Sequence, residues 1–234
     1  MQPVSLAIVG AGGRGAGYAT FAAAHPDRAR VVAVAEPRDR YREQVVAKYG
    51  VAADLTFTDW RDLAERPRLA DAAIIATQDA MHVGPAVALA AKGYHILLEK
   101  PMAPDEAGCR QIVAAALEAG TIFAVCHVMR YTAYTRTLKR LLDDGRIGEV
   151  VSIQHLEPVG HWHQAHSFVR GNWGNEAASS PMLLAKSCHD LDWLRHVMGE
   201  PCQAIQSFGS LKHFRASEKP AGAADRCLDC RVEA

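Results

Sequence analysis

The sequence predicts a doubly wound parallel α/β domain followed by a smaller, incomplete α+β domain. Three observations carry that expectation. A short β-branched stretch, residues 4–9, runs straight into Gly10, Gly12, Gly13 and Gly15. A second apolar run, residues 31–35, closes on Glu36, about 20 residues beyond the glycines, as a dinucleotide-binding fingerprint requires. Short apolar strands then alternate with helix-length segments up to residue 126, where the pattern changes.

Each part of the first turn has a physical reason. Gly10 permits a tight turn off the strand, Gly12 lets the backbone approach a pyrophosphate, and Gly15 lets the next helix lie close to the sheet. Unsatisfied N–H groups and the helix dipole favour negative charge at that helix start. Glu36 is placed to accept hydrogen bonds from ribose hydroxyls and to repel a 2′-phosphate, so NAD is the expected cofactor. Arg14 and Arg38 could each pair with that phosphate, which keeps NADP as the alternative.

The remaining elements follow in order. Residues 13–24 form a helix, residues 30–35 the second strand and residues 38–49 a helix stopped by Gly50. A short strand falls within 51–57, and Asp59 caps a helix through Ala64. Residues 72–76 read as a strand buried on both faces, residues 82–91 as a helix closed by Gly93, and residues 94–98 as a strand. A helix over 104–119 and a strand over 121–125 complete the sheet. Beyond it, residues 134–143 and 181–197 are helical, and residues 149–156 and 204–212 are expected strands. Residues 157–180 form a loop long enough to expect a functional role. The division is 1–126, 127–216 and a polar tail or truncated insertion, 217–234.

Composition excludes some classes. The 234 residues are 49% hydrophobic and 22% charged, with formal net charge +0. This offers no broad field for nucleic acid or an acidic membrane. No stretch reaches the ~18 apolar residues of a membrane span, and the first ten residues already read as a strand rather than a signal segment. A cytoplasmic enzyme acting on a small molecule is the expectation. Four of the six cysteines, Cys109, Cys126, Cys188 and Cys202, read as reduced thiols. Cys227 and Cys230 have the spacing of half a zinc site without a second pair, and no metal is assigned.

Strand ends near the switch point of such a sheet face the cofactor. Thr77, Gln78 and His82 follow one strand end, and Glu99, Lys100 and Pro101 follow the next. A lysine there can exchange protons if burial lowers its pKa. Glu99 can orient it, and Pro101 fixes the backbone beyond, with a cis bond as one option.

Taken together, "AIVGAGGRG", "AAIIATQDAMHVGPAVALAAKGYHILLEKPMA", "RIGEV" and "CHDLDWL" resemble the Gfo/Idh/MocA family of nicotinamide-dependent oxidoreductases. The resemblance spans residues 4–213. It implies an N-terminal Rossmann domain and a C-terminal α+β domain whose open sheet can mediate homo-oligomerisation. The implied reaction is hydride transfer at a carbinol or carbonyl of a sugar or polyol. Some relatives instead cleave glycosides through a transient NAD redox step. By position, Lys100 is similar to the family's active-site lysine and His189 to its histidine, and His127 falls at the cofactor–substrate boundary. The family's usual aspartate four residues before that histidine is Ala185 here, with Lys186 beside it. Positions 185, 186 and 189 share nearly one helical face, so Lys186 is a candidate cationic group for the substrate.

Arg130 and Tyr131 offer hydrogen bonds and stacking to a sugar, or else tie the domains together. In the long loop, His161, Trp162, His163, His166, Trp173 and Asn175 form the substrate-specificity candidate, with aromatic faces for a sugar ring and polar groups for its hydroxyls. A non-catalytic nucleotide-binding scaffold or truncated pseudoenzyme is the rival reading, kept open by Ala185 and the incomplete second domain.

Overall fold

A computed structural model describes residues 2–232. Six parallel strands form one sheet: β1 (Val4–Val9), β2 (Ala29–Ala35), β3 (Thr56–Phe57), β4 (Ala72–Ile75), β5 (His95–Leu98) and β6 (Phe123–Val125). Their order is β3-β2-β1-β4-β5-β6, and every pairing is parallel. The order reverses between β1 and β4, which opens a crevice at their carboxyl ends.

Side-chain alternation along the strands builds a core on each face. Ile8, Val34 and Ile74 face Ala19 and Ala22 of α1 (Gly13–Ala24) and Val45 of α2 (Asp39–Tyr49). Ala7, Val9 and Ile75 face the other way. They pack with Leu63 of α3 (Trp60–Glu65), Leu89 of α4 (Val83–Ala91) and Ile112 of α5 (Glu106–Ala119). The helices start where a short acid accepts a free N–H: Asp59 from Arg61, at 2.9 Å, and Asp105 from Gly108, at 2.7 Å, as N-caps do.

The glycine turn fits the expectation. Gly10 has φ +86°, and a Cβ there would lie 2.7 Å from the Ala76 carbonyl oxygen. Helix α1 crosses so near β1 that a Cβ on Gly15 would lie 1.9 Å from the Gly10 oxygen.

Beyond the sheet, α6 (Ala133–Asp143) follows a short 3-10 turn, Val128–Tyr131. The expected strands at 149–156 and 204–212 do not form; both segments lack regular structure. A strand needs a neighbour to satisfy its backbone groups, and neither segment pairs with the other or with the parallel sheet. The long loop is partly helical rather than irregular. It holds α7 (His161–His163), a π-helical turn (Gln164–Val169) and a 3-10 turn (Glu176–Ala178) before α8 (Met182–Met198).

The α1 crossing yields a paired test. Gly15→Ala forces backbone apart and is expected to cost several kcal/mol, about the scale of severe overpacking. Gly17, on the same helix, has open space around its Cβ position, so Gly17→Ala is expected to gain about 0.5–1 kcal/mol. Urea denaturation of both variants checks the contrast.

Candidate active site

The crevice starts with an open cradle. Gly12 ends the turn as the N-cap of α1, with no side chain closing the helix start. A Cβ on Gly13 would meet nothing within 4 Å, and one on Gly12 would meet only the Arg38 guanidinium, 3.3 Å away. Free helix N–H groups beside empty space suit a pyrophosphate.

The ribose end is more occupied than the sequence indicates. Glu36 is 1% exposed. Its Oε2 accepts from the Ala11 N–H at 2.8 Å and from Arg38 at 2.9 Å; its Oε1 accepts from Arg38 Nε at 2.7 Å and from the Arg38 N–H at 3.0 Å. Burial opposes ionisation, but the Arg38 and Ala11 hydrogen bonds outweigh it and hold the carboxyl low. Glu36 therefore offers no free oxygen to a ribose while Arg38 stays in place. The Arg38 guanidinium, half exposed, lies 4.2 Å from the Tyr41 ring centroid and is the group facing the crevice.

At the end of β5, the Glu99 carboxylate is buried and already spoken for. It accepts from Tyr18 Oη at 2.7 Å and from the Lys100 N–H at 2.7 Å. Arg14, two-thirds exposed, lies 3.7 Å from it. The Lys100–Pro101 bond is cis. His82, predicted to line the cofactor, is fully buried instead. Its ring nitrogens lie 2.8 Å from the Pro101 carbonyl and 3.2 Å from the Thr77 carbonyl, so it braces the two strand ends. Thr77 turns its hydroxyl to the Met81 carbonyl at 3.3 Å, and Gln78 is exposed.

Helix α8 closes the other side. Lys100 Nζ donates to the Ala185 carbonyl at 2.8 Å, one turn before His189. Burial, then the charge of Lys100, pushes the His189 pKa down to about 4. The His127 and His189 rings meet edge to face at 6.4 Å. Nδ1 of each is buried with no partner among the described residues. Burial lowers the His127 pKa as well; its Nε2 lies 3.8 Å from Asp192. Two orphaned nitrogens beside a lysine amine leave room for a polar ligand.

Residues 4–127 match the family model for an oxidoreductase family with an NAD-binding Rossmann fold, and residues 139–230 match that family's C-terminal alpha/beta domain. The chain belongs to the Gfo/Idh/MocA oxidoreductase family. It is 32% identical over 206 residues to an inositol 2-dehydrogenase of Streptomyces avermitilis, covering 87% of this chain and 56% of that protein. It is 27% identical over 208 residues to a 2,7-anhydro-N-acetylneuraminate hydratase of Escherichia coli, covering 88% of this chain and 52% of that protein. Among solved structures, a myo-inositol 2-dehydrogenase from Lactobacillus plantarum shares the fold at TM-score 0.74 and 22% identity, covering 85% of this chain and 57% of that one. The chain thus spans a little over half the length of these relatives. No helix among the described residues is long and apolar enough to cross a membrane.

Several substrate candidates of this Gfo/Idh/MocA chain are committed elsewhere. Arg130 grips Asp192 through two hydrogen bonds, one of them Nε to Oδ2 at 2.8 Å, and so ties the end of β6 to α8. Lys186 pairs with Glu157 at 2.9 Å, and its charge still reaches His189. The Trp173 indole N–H donates to Asp79 at 2.8 Å. Tyr131 and Trp162 are well exposed, and His161 and His166 are exposed. His163 stacks on Trp162 at 5.4 Å and leads through Phe168, at 6.0 Å, to Trp173, at 6.2 Å. Sequence reasoning missed Tyr18, Asp79 and Phe168. Only Asp79 carried a signal, as an acid just after a buried strand. His155, Glu157 and Asp190 place ligand atoms within 4.8 Å of one another. His155 already binds Asp190 at 2.7 Å and Lys186 occupies Glu157, so the group is internally paired. The Cys227 side chain lies outside the described part, so its pairing with Cys230 is left as read from sequence.

Two measurements follow. Arg38→Ala removes the guanidinium that holds the Glu36 carboxylate and faces the cradle, and frees Glu36 from it. NADPH affinity is expected to fall about tenfold relative to NADH, the scale of one charge-assisted contact, in paired fluorescence titrations. The second concerns acid stability. His189 is neutral in the fold down to about pH 4, whereas an unfolded histidine takes its proton near 6.5. The unfolded state then binds more protons between those values, so stability falls as pH drops from 6.5 to about 4 and levels below. His189→Gln is expected to lose less stability over that window in urea titrations at stepped pH.

Proposed function

We propose that this chain carries the catalytic core of an NAD-dependent oxidoreductase that interconverts a ring carbinol of a sugar-like polyol and its ketone. The observation behind the reading is the meeting of Lys100 and His189 at the carboxyl edge of a dinucleotide-binding sheet. Likeness to inositol 2-dehydrogenases supports the substrate class. The open cradle at Gly12 and Gly13, with the half-exposed Arg38 at its far end, suits the dinucleotide.

When bound, nicotinamide supplies the hydride acceptor or donor. The chain's own residues manage the proton. At neutral pH His189 is an uncharged base, and its buried Nδ1 is free to meet a hydroxyl. It takes the hydroxyl proton as carbon–oxygen double-bond character develops. Lys100, anchored through one N–H to the Ala185 carbonyl, has further hydrogens to donate to the same oxygen. That steadies the negative charge the oxygen acquires. The aromatic series from Trp162 to Trp173 offers faces to the apolar side of a ring. A homo-oligomer formed through the C-terminal domain is part of this reading.

A second reading is favoured by likeness to the 2,7-anhydro-N-acetylneuraminate hydratases. Hydration or glycoside cleavage leaves no net redox change, so the dinucleotide would be restored in each turnover. The same His189 and Lys100 would serve both outcomes.

Screening cyclic polyols and glycosides for turnover separates the two. Net NADH accumulation supports the first reading, and substrate loss without it supports the second. Lys100→Met and His189→Ala are each expected to slow single-turnover nicotinamide reduction by about 10²–10⁴-fold while leaving NADH affinity within about threefold. A parent-like rate in both variants would remove this pair from the chemistry.

A further inference from the structure

Asp79 sits just past β4, is 3% exposed, and has no cation within ion-pair reach among the described residues. Both donors to its Oδ2 come from the far half of the chain: the Trp173 indole N–H at 2.8 Å and the Ser180 hydroxyl. Ser180, 1% exposed, stands two residues before α8, and the neighbouring Ser179 hydroxyl ties back to the Asn175 carbonyl at 2.8 Å. Asp79 thus reaches the aromatic loop and the start of the His189 helix through one oxygen. Its own backbone is held in turn, because the His82 N–H bonds the Asp79 carbonyl and the His82 ring braces Thr77 and Pro101.

The second grip on the same helix is Lys100 Nζ on the Ala185 carbonyl. Asp79 and Lys100 come from adjacent strand ends and hold α8 at positions five residues apart. A helix held at one point can pivot; held at two near its start, it presents the next turn, with His189, at a fixed angle. A buried carboxylate is a costly group, and neutral donors satisfy it only while loop and helix are docked.

We propose that Asp79 is a positioning residue of the site: it locks the start of α8 and, through Trp173, the aromatic loop, so that His189 is held against Lys100. It acts through the two segments it anchors. The inference rests on the reading of Lys100 and His189 as the reacting pair, but its geometric half can be measured without turnover.

The probe is the His189 imidazole, followed by NMR titration in the unliganded chain and assigned with His189→Gln. That ring faces Lys100 and Glu99 from the end of β5, His127 from the end of β6, and Lys186 on its own helix. In Asp79→Ala the helix start is released, burial and the Lys100 charge both weaken, and the titration is expected to rise by about one unit or more from about 4. Asp79→Asn keeps an oxygen acceptor for both donors and is expected to stay within about half a unit. With a screened substrate, Asp79→Ala should cut kcat about tenfold or more with NADH affinity within about threefold. Asp79→Asn should recover most of it. If Asp79→Ala does not fold, Trp173→Phe and Ser180→Ala each remove one donor and are expected to move the titration in the same direction by less. An unmoved His189 titration in every folded variant overturns the proposal, even if melting temperature falls. A moved titration with no polyol turnover in the parent overturns the enzymatic reading and leaves the positioning role standing.

Discussion

A parallel sheet delivers all its strand ends to one edge, and the polar groups stranded there must find partners or be left unsatisfied. In this chain the edge carries Asp79 and His82 beyond β4, and Glu99 and Lys100 beyond β5. Their partners are not neighbours in sequence. Asp79 draws in Trp173 and Ser180, Lys100 draws in the Ala185 carbonyl, and Glu99 draws in Tyr18 from α1. Satisfying that edge therefore docks α8 and the aromatic loop onto the crevice. The same bonds that remove an energetic penalty assemble the site.

The edge also sets which groups are reactive. Burial drives the Tyr18 hydroxyl far upward, and hydrogen bonds with Cys126 and Glu99 add to it. Burial likewise pushes the Cys126 thiol up to about 11. Both stay protonated at neutral pH, so Cys126 is an inert thiol and Tyr18 a steady donor to Glu99. Glu99 holds the Lys100 N–H on one oxygen and the Tyr18 hydroxyl on the other. Its work is to fix the backbone from which Lys100 reaches across. Nearby, Nδ1 of His189 and Nδ1 of His127 remain without a partner among the described residues.

The sheet was legible because its signals are local. Gly10 and Gly15 prohibit a side chain by direct backbone contact, and runs such as Ile74–Ile75 read as strands buried on both faces. Lys100 and His189 were legible through motif and position. The contacts that commit Arg130, Lys186 and Trp173 were not, because each depends on a partner 29 to 94 residues away. Glu36 shows a subtler loss: its place at the strand end was readable, but not that Arg38, two residues on, would occupy both oxygens. The segments at 149–156 and 204–212 have strand patterning and no strand, since pairing is a property of the neighbours. The contacts of His82 were hidden for a related reason. A histidine opening a helix beside the crevice gives no sign that two carbonyls already claim its ring.

Ala185 is the departure with the largest chemical consequence. A carboxylate on that turn of α8 would face Lys100 and offset its charge, and a negative neighbour favours the protonated form of a histidine. With only a backbone carbonyl there, Lys100 is held by a dipole rather than a counter-charge. Its charge then acts on His189, adding to burial and keeping the imidazole neutral well below physiological pH. That turn of α8 thus links Lys100 to His189 through a backbone carbonyl and a charge.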